Sequence, residues 1–321
     1  VPAGSTNIHQ SWEVADPEKW VPHGYVLVRV DSRGAGRSPG YLEHFSLRET
    51  QDFVDCIEWA GVQPWSNGKV GLSGISYYAV NQWNVAAIGP KHLAAICPWE
   101  GFNDHYRELG YHGGMYCSFQ RHLYDKQILP IQHGYGDRGF RSRANGEWAA
   151  GPETLSEEEL VANRYDLHGE FSSHPLDDEF YAVRTPDLTK IKIPVLSCAN
   201  WGGPPLHPRG NFNGYIYSSS PDKWLEVHGL EHWSLYYTDY GNDLQKRFFD
   251  CFLKGDDSGW KDQPRVSLNV RHEGEKFVLR GEEDWPIPRT NWTKFYLEPN
   301  GQMLVKTPAS GEAAISYTAT G

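Results

Sequence analysis

Short apolar runs alternate with helical stretches over the first hundred residues, and this alternation predicts the fold. Residues 25–30 (YVLVRV) form a continuous apolar run, as expected of a strand buried on both faces of a parallel sheet. Ser46 and Glu49 have the spacing of a capping box. The helix they open carries Phe53, Val54, Ile57 and Ala60 on one side and ends at Gly61. Residues 69–73 read as a strand started by the turn Asn67-Gly68, and residues 77–88 as a helix stopped by Gly89-Pro90. Residues 92–97 (HLAAIC) read as the next strand. Strand, helix, strand, helix predicts a right-handed parallel α/β sheet.

The rhythm disappears between about residues 104 and 182. That stretch is rich in Tyr, His, Arg, Gly and acidic residues, with one clear helical piece at 153–164, and predicts an inserted, largely helical cap. The sheet pattern resumes at 193–199 (IPVLSCA) and 224–228 (WLEVH). A final amphipathic helix over 243–253 carries Leu244, Phe248, Phe252 and Leu253 and is closed by Gly255. After Trp260, short alternating strands at 266–270, 276–279 and 293–297 predict the opening of a β-sandwich. The expected divisions are residues 1–104 and 186–258 for the two parts of the α/β core, 105–185 for the cap and 259–321 for the start of the sandwich.

Composition narrows the function classes. The chain has 321 residues and a net charge of -11, its Lys and Arg are scattered, and no basic patch points to nucleic acid. A mean hydropathy of -0.61 and the absence of a long apolar run argue against a membrane span. The five cysteines are odd in number, and Cys56, Cys97, Cys198 and Cys251 fall in core-like stretches. Free buried thiols in a reducing, cytoplasmic setting are therefore expected. There is no CxxC, His105 and His112 lack the spacing of a structural zinc site, and no metal or cofactor is called for. The first ten residues are polar and lack Met, and the end stops without a structural signal, so the chain reads as a piece of a longer polypeptide. Nothing in the pattern decides between a monomer and a homo-oligomer.

The chemistry centres on Ser76. It lies at the turn between a predicted strand and a predicted helix, with Gly74 two residues before it. Such a turn exposes a serine at the carboxyl edge of a sheet, where a helix N-terminus favours a developing negative charge. The same letters also arise by chance: Gly71-Leu72-Ser73 is a second Gly-x-Ser, and Tyr78 stands where the G-x-S-x-G pattern has its last glycine. A serine elbow needs a histidine beyond the last core strand. His232 lies in the loop there, whereas His228 ends the strand and reads as structural.

At these residues the chain resembles the cocaine esterase and X-Pro dipeptidyl-peptidase group of α/β-hydrolases, the CocE/NonD hydrolases. The motifs are Asp31-Ser32-Arg33-Gly34-Ala35-Gly36-Arg37-Ser38, Gly74-Ile75-Ser76-Tyr77 and the loop ending at His232. The resemblance covers essentially the whole chain and implies an α/β-hydrolase core, a helical cap and a trailing jelly roll. It implies Ser76 as nucleophile, His232 as base and the Tyr77 backbone N–H as one oxyanion donor. The family's second donor, a tyrosine hydroxyl, comes from a loop that would lie ahead of Val1. The family also places an aspartate where this chain has Gly203, and no carboxylate occurs between Thr189 and Pro221. Glu100, just past the strand after the elbow helix, is the expected substitute, with Asp104 and Glu231 as lesser candidates. Trp99, Phe102, Trp201 and Trp233 are expected to line a cleft for a small-molecule acyl substrate; core packing is the competing account of the same residues. The implied activity is ester or amide hydrolysis through an acyl-enzyme. Acyl transfer to a small acceptor, proline-specific dipeptidyl cleavage and an inactive binding protein are the alternatives.

Overall fold

The computed structural model describes residues 4–203, 206–257, 259–274, 276–298, 303–307, 314, 316 and 318. It divides into two compact units, one running to Glu283 and the other from Asp284 to Gly321. The first unit is built on a six-stranded sheet whose order in space follows the chain: β1 (Val70–Ile75), β2 (Leu93–Trp99), β3 (Val195–Asn200), β4 (Lys223–His228), β5 (Val266–His272) and β6 (Lys276–Glu282). The first five strands run parallel, and β6 returns antiparallel to β5.

Helix α1 (Leu47–Gly61) leads into β1, α2 (Tyr77–Ile88) links β1 to β2, α3 (Pro208–Tyr217) links β3 to β4, and α4 (Asp239–Phe249) links β4 to β5. α1 begins where the sequence predicts, with Ser46 Oγ accepting from the Glu49 N–H at 3.1 Å. The sheet buries both faces with the two-residue period of a pleated strand. Ala95, Cys97 and Trp99 of β2 join Leu196 and Cys198 of β3 against Leu244, Phe248 and Phe249 of α4. Ile96 and Val195 point the other way, into a cluster with Ile57 of α1 and Trp83 and Val85 of α2.

Residues 105–185 form the insertion. It holds short helical pieces such as Glu157–Ala162 and Leu167–Ser173 and a hairpin of Tyr111–His112 with Met115–Tyr116. Its own apolar cluster centres on Tyr111, Tyr124, Tyr165, Phe171 and Tyr181. The Asp31–Ser38 loop ties the insertion to the core. Gly36 N–H donates to Ile131 O at 2.7 Å and His133 N–H to Gly34 O at 2.8 Å. Asp31 Oδ2 accepts from Arg37 N–H, so this loop is a clamp of backbone bonds rather than a phosphate cradle.

One expectation is corrected. Residues 25–30 form no strand: Tyr25 and Leu27 pack against the core, while Val26, Val28 and Val30 are exposed. An apolar run predicts two-sided burial only when elements cover both sides, and here the core covers alternate residues alone. The strands expected at 266–270 and 276–279 are present as β5 and β6, and they continue the main sheet. Alternation shows that a segment is a strand and not which sheet it joins. The third expected strand is found at Tyr296–Glu298 in the second unit, paired antiparallel with Met303–Val305.

α3 approaches the end of β2 so closely that Gly210 has no room for a side chain. A Cβ there would meet Phe102 Cα at 2.4 Å and Gly101 O at 2.5 Å, both backbone. Gly210→Ala should therefore destabilise the protein by about 1–3 kcal/mol, read as a lower midpoint in urea unfolding.

Candidate active site

Ser76 follows β1 and stands at the N-cap of α2 with φ 77° and ψ -99°. This left-handed conformation costs a non-glycine residue about 1–3 kcal/mol and is held by its surroundings. Ser76 N–H donates to Trp99 O at 3.0 Å, and Ser76 O accepts from Val80 N–H at 2.9 Å. A serine N-cap ordinarily spends its hydroxyl on the helix, but Ser76 makes no such bond. Two small residues make the turn fit. A Cβ on Gly74 would lie 2.5 Å from Tyr78 Cβ, and one on Gly101 would lie 2.6 Å from Ala79 Cβ. The close packing usually given by a glycine at the position of Tyr78 is thus supplied by Gly74 from the strand side. The Tyr77 N–H heads α2 and has no intrahelical acceptor, and its hydroxyl is bound to Glu49 at 2.5 Å.

Glu100 follows β2, also in the left-handed region at φ 52°, with its N–H on Cys198 O at 2.8 Å. Its side chain is fully buried. Oε2 accepts from His232 Nδ1 at 2.6 Å, and Oε1 accepts from His228 Nε2 at 2.9 Å and Asn200 Nδ2 at 3.3 Å. Burial alone would raise its pKa, but the hydrogen bonds and charge of the two histidines outweigh this and hold it near 2. Gly203, the family's aspartate position, lies beside it: a Cβ there would sit 3.5 Å from Glu100 Oε2. The two positions address the same point in space. Asp104 is paired instead with Arg107 and Arg209, and Glu231 with the Ser234 hydroxyl.

His232 is bound at both nitrogens. Nε2 lies 3.0 Å from Glu13 Oε1, so two carboxyl groups flank one ring. Burial pushes its pKa down, yet the bonds to Glu100 and Glu13 prevail and raise it to about 9. Glu13 reaches the site from the N-terminal segment, which is fastened to β1 by the Ile75 N–H on Glu13 O at 3.0 Å. The histidine on the Ser76 hydroxyl is His207, with Nε2 3.3 Å from Oγ. Its ring is buried and lies nearly parallel to His232, with centroids 4.9 Å apart, and to Phe102 at 6.4 Å. Burial, with His232 close by, pushes the His207 pKa down to about 3.

The expected base and acid are therefore in contact, while the Ser76 hydroxyl meets His207 instead of His232 and Glu13 takes the other nitrogen of His232. The expected aromatic lining is only partly found. Trp99 is fully buried in the core against His228 and Tyr236, out of a substrate's reach. Phe102 is buried behind His207. Trp201 hydrogen-bonds Asn269 O at 2.8 Å through its indole N–H. Trp233 is partly exposed beside His232 and faces Trp12 at 5.0 Å. His207 closes the very loop that lacks the aspartate, and that loop was the signal that could have found it; a lone Glu13 in a polar N-terminal stretch offers none. Among the described residues there is no cluster of His, Cys, Asp and Glu fit to hold a metal, and no helix is long and apolar enough to cross a membrane.

Residues 2–234 match the X-Pro dipeptidyl-peptidase (S15) family, and residues 258–320 match the X-Pro dipeptidyl-peptidase C-terminal non-catalytic domain. The second match begins ahead of β5 although β5 and β6 complete the main sheet. The chain is 28% identical to the cocaine esterase of Rhodococcus sp. (strain MB1 Bresler), over 94% of this chain and 57% of that protein. It is similar to the solved structure of a CocE/NonD family hydrolase from Staphylococcus aureus, with TM-score 0.80, 37% identity and coverage of 93% of this chain and 49% of that one. An α-amino acid ester hydrolase shares the fold at TM-score 0.52 and 17% identity. The chain spans about half the length of these relatives, 57% and 49%.

The charges at this site have a measurable linkage. Glu100 is depressed from 4.5 to about 2, so its contribution to stability is present above 4.5 and lost as pH falls through 2. His232 is raised from 6.5 to about 9, so its contribution is present below 6.5 and lost as pH rises through 9. Urea midpoints should therefore fall between pH 6.5 and 9, and Glu100→Gln should flatten that fall.

Proposed function

The chain belongs to the X-Pro dipeptidyl-peptidase (S15) and CocE/NonD family of α/β-hydrolases, and from that premise we propose that it is a serine hydrolase acting on an ester or amide bond of a small molecule through an acyl-enzyme. The observation that carries the reading is the strained Ser76 elbow, whose hydroxyl is free of capping and faces a histidine cluster held by a buried carboxylate.

Ser76 Oγ attacks the substrate carbonyl carbon while its proton passes to His232 Nε2, once Glu13 has released that nitrogen. Glu100 holds the opposite Nδ1–H and stabilises the imidazolium. The Tyr77 N–H and the start of α2 stabilise the oxyanion. The bond to the leaving group then breaks, and the leaving group takes the proton from His232. Water enters by the same route in reverse: its oxygen attacks the acyl carbon, its proton goes to His232, and Ser76 is regenerated as the acid product leaves.

Glu100 is the acid in this reading because its oxygens are spent on His228 at the end of β4 and His232 in the loop after it, and because Gly203 leaves the position that the resemblance gives an aspartate without a carboxylate. The family match equally supports cleavage of a dipeptide from an Xaa-Pro substrate by the same groups, and acyl transfer would differ only in the acceptor that replaces water. Side-by-side turnover of p-nitrophenyl esters, Xaa-Pro anilides and candidate acceptors separates the three.

Ser76→Ala should abolish p-nitrophenyl ester cleavage and labelling by a fluorophosphonate. Wild-type activity in that variant would overturn the mechanism. Glu100→Gln should lower kcat by roughly 10³–10⁴-fold, while Asp104→Ala changes it little. Adding Gly203→Asp to Glu100→Gln should recover part of the loss, because the new carboxylate enters at the same point.

The base must be neutral to act, so with a His232 pKa near 9 the acylation rate should climb with pH up to about that value. Glu13→Gln removes one of the two groups that favour the imidazolium. The limb in kcat/KM should then move to lower pH, and a limb that stays in place would remove Glu13 from the account.

A further inference from the structure

His207 is neither the expected base nor an ordinary core histidine. It is buried, its Nε2 lies 3.3 Å from the reacting oxygen, and its Nδ1 has no hydrogen-bond partner among the described residues. Those facts favour one tautomer. A proton on Nδ1 would leave a buried N–H orphaned, which folded proteins avoid more strictly than an unused lone pair. The proton therefore belongs on Nε2, and His207 donates to Ser76 Oγ.

The same surroundings bar His207 from acting as the base. No carboxylate meets its Nδ1, so an imidazolium formed there would be buried without a hydrogen-bonded counter-charge, with Glu100 acting only through space, and stacked on His232. His232 has the Glu100 carboxylate at the equivalent nitrogen. With His207 donating to Oγ, the serine's own O–H remains available for His232 Nε2. The two rings divide the work at one oxygen.

We infer that His207 is a catalytic residue that keeps the acyl-enzyme short-lived, through an Nε2–H···Oγ bond that is strong when Ser76 is a hydroxyl and weak when it is an ester. The inference rests on the acyl-transfer reading above. A hydroxyl oxygen is a good acceptor. The alkyl oxygen of an ester shares its lone pair with the carbonyl and is a poor one. Acylation thus strips a buried donor of its partner, with no substitute at either ring nitrogen, and deacylation restores it. In deacylation water attacks the acyl carbon and gives its proton to His232 Nε2. The carbon–Oγ bond then breaks, and Oγ takes the proton back from His232. His207 keeps its own proton throughout. The loss of one hydrogen bond of this kind corresponds to roughly tenfold in the lifetime of the intermediate.

The test is stopped-flow turnover of p-nitrophenyl butyrate by the wild type, by His207→Phe and His207→Leu, which lack the donor, and by His207→Gln, which keeps a side-chain N–H. Thermal melting accompanies each, so that either donor-less variant with a cooperative melt suffices. The expected result is a burst of about one p-nitrophenolate per Ser76 in the donor-less variant. A steady state roughly tenfold below wild type follows it, and an acyl adduct on Ser76 is visible by intact-mass spectrometry. His207→Gln should behave nearly as wild type. A donor-less variant with no burst and wild-type turnover overturns this inference alone, as does His207→Gln matching the donor-less variants. Loss of the acylation phase and of fluorophosphonate labelling in the donor-less variants also overturns it, by making His207 the base. A wild type that neither releases p-nitrophenol nor takes up fluorophosphonate overturns the hydrolase reading itself.

Discussion

The Glu100 carboxylate is the group on which the site depends. It is a charge with no exposure to water, and a buried charge persists only with partners that return what desolvation removes. His228 and His232 provide them from the end of β4 and the loop after it, and Asn200 adds a third contact from β3. Three strand ends are thereby pinned to one another through a single side chain. Removing Glu100 would remove the contact that sets the β4 loop over the sheet and, in the proposed mechanism, the partner of the base.

Strain at two adjacent strand ends serves the same geometry. Ser76 after β1 and Glu100 after β2 both hold left-handed backbone, and the Ser76 N–H is bonded to Trp99 O, the carbonyl just before Glu100. Each is disfavoured on its own. The buried sheet around them over-determines both, with Ile75 and Trp99 fully buried at the strand ends. The core stores the strain that aims the serine and the acid at a common point, which is why Gly74 and Gly101 are required to let α2 close over the turn.

Much of this was legible in the sequence. The α2 helix, Ser76 at its head and the parallel strands follow from periodicity and turn chemistry, and the family resemblance pointed to Glu100, which the structure places on His232. What was not legible depended on tertiary partners. The run at 25–30 carries a strand pattern without a ladder, and the strands at 266–270 and 276–279 carry no mark of the sheet they join. Trp99 illustrates the limit most plainly. An aromatic residue beside an acid on a strand end reads equally as pocket wall or as core, and the pleat direction, which sends Trp99 toward α4, decides for core.

His207 and Glu13 show why a site needs more than its motif. Both histidines near Ser76 are imidazoles within one stack, and their roles part only at the far nitrogen. His232 has a carboxylate there and is raised to about 9, while His207 has nothing there and is lowered to about 3. Under the proposed mechanism these opposite environments make His232 the proton carrier and His207 the fixed donor. The β3 loop carries Gly203 and His207 and no carboxylate. In the proposed mechanism, with Glu100 as the acid, that loop carries no charge to the base and brings a second imidazole to the serine. In the proposed mechanism His207 stays neutral because Glu100 gives its hydrogen-bonding oxygens to His228, His232 and Asn200 and reaches His207 only through space.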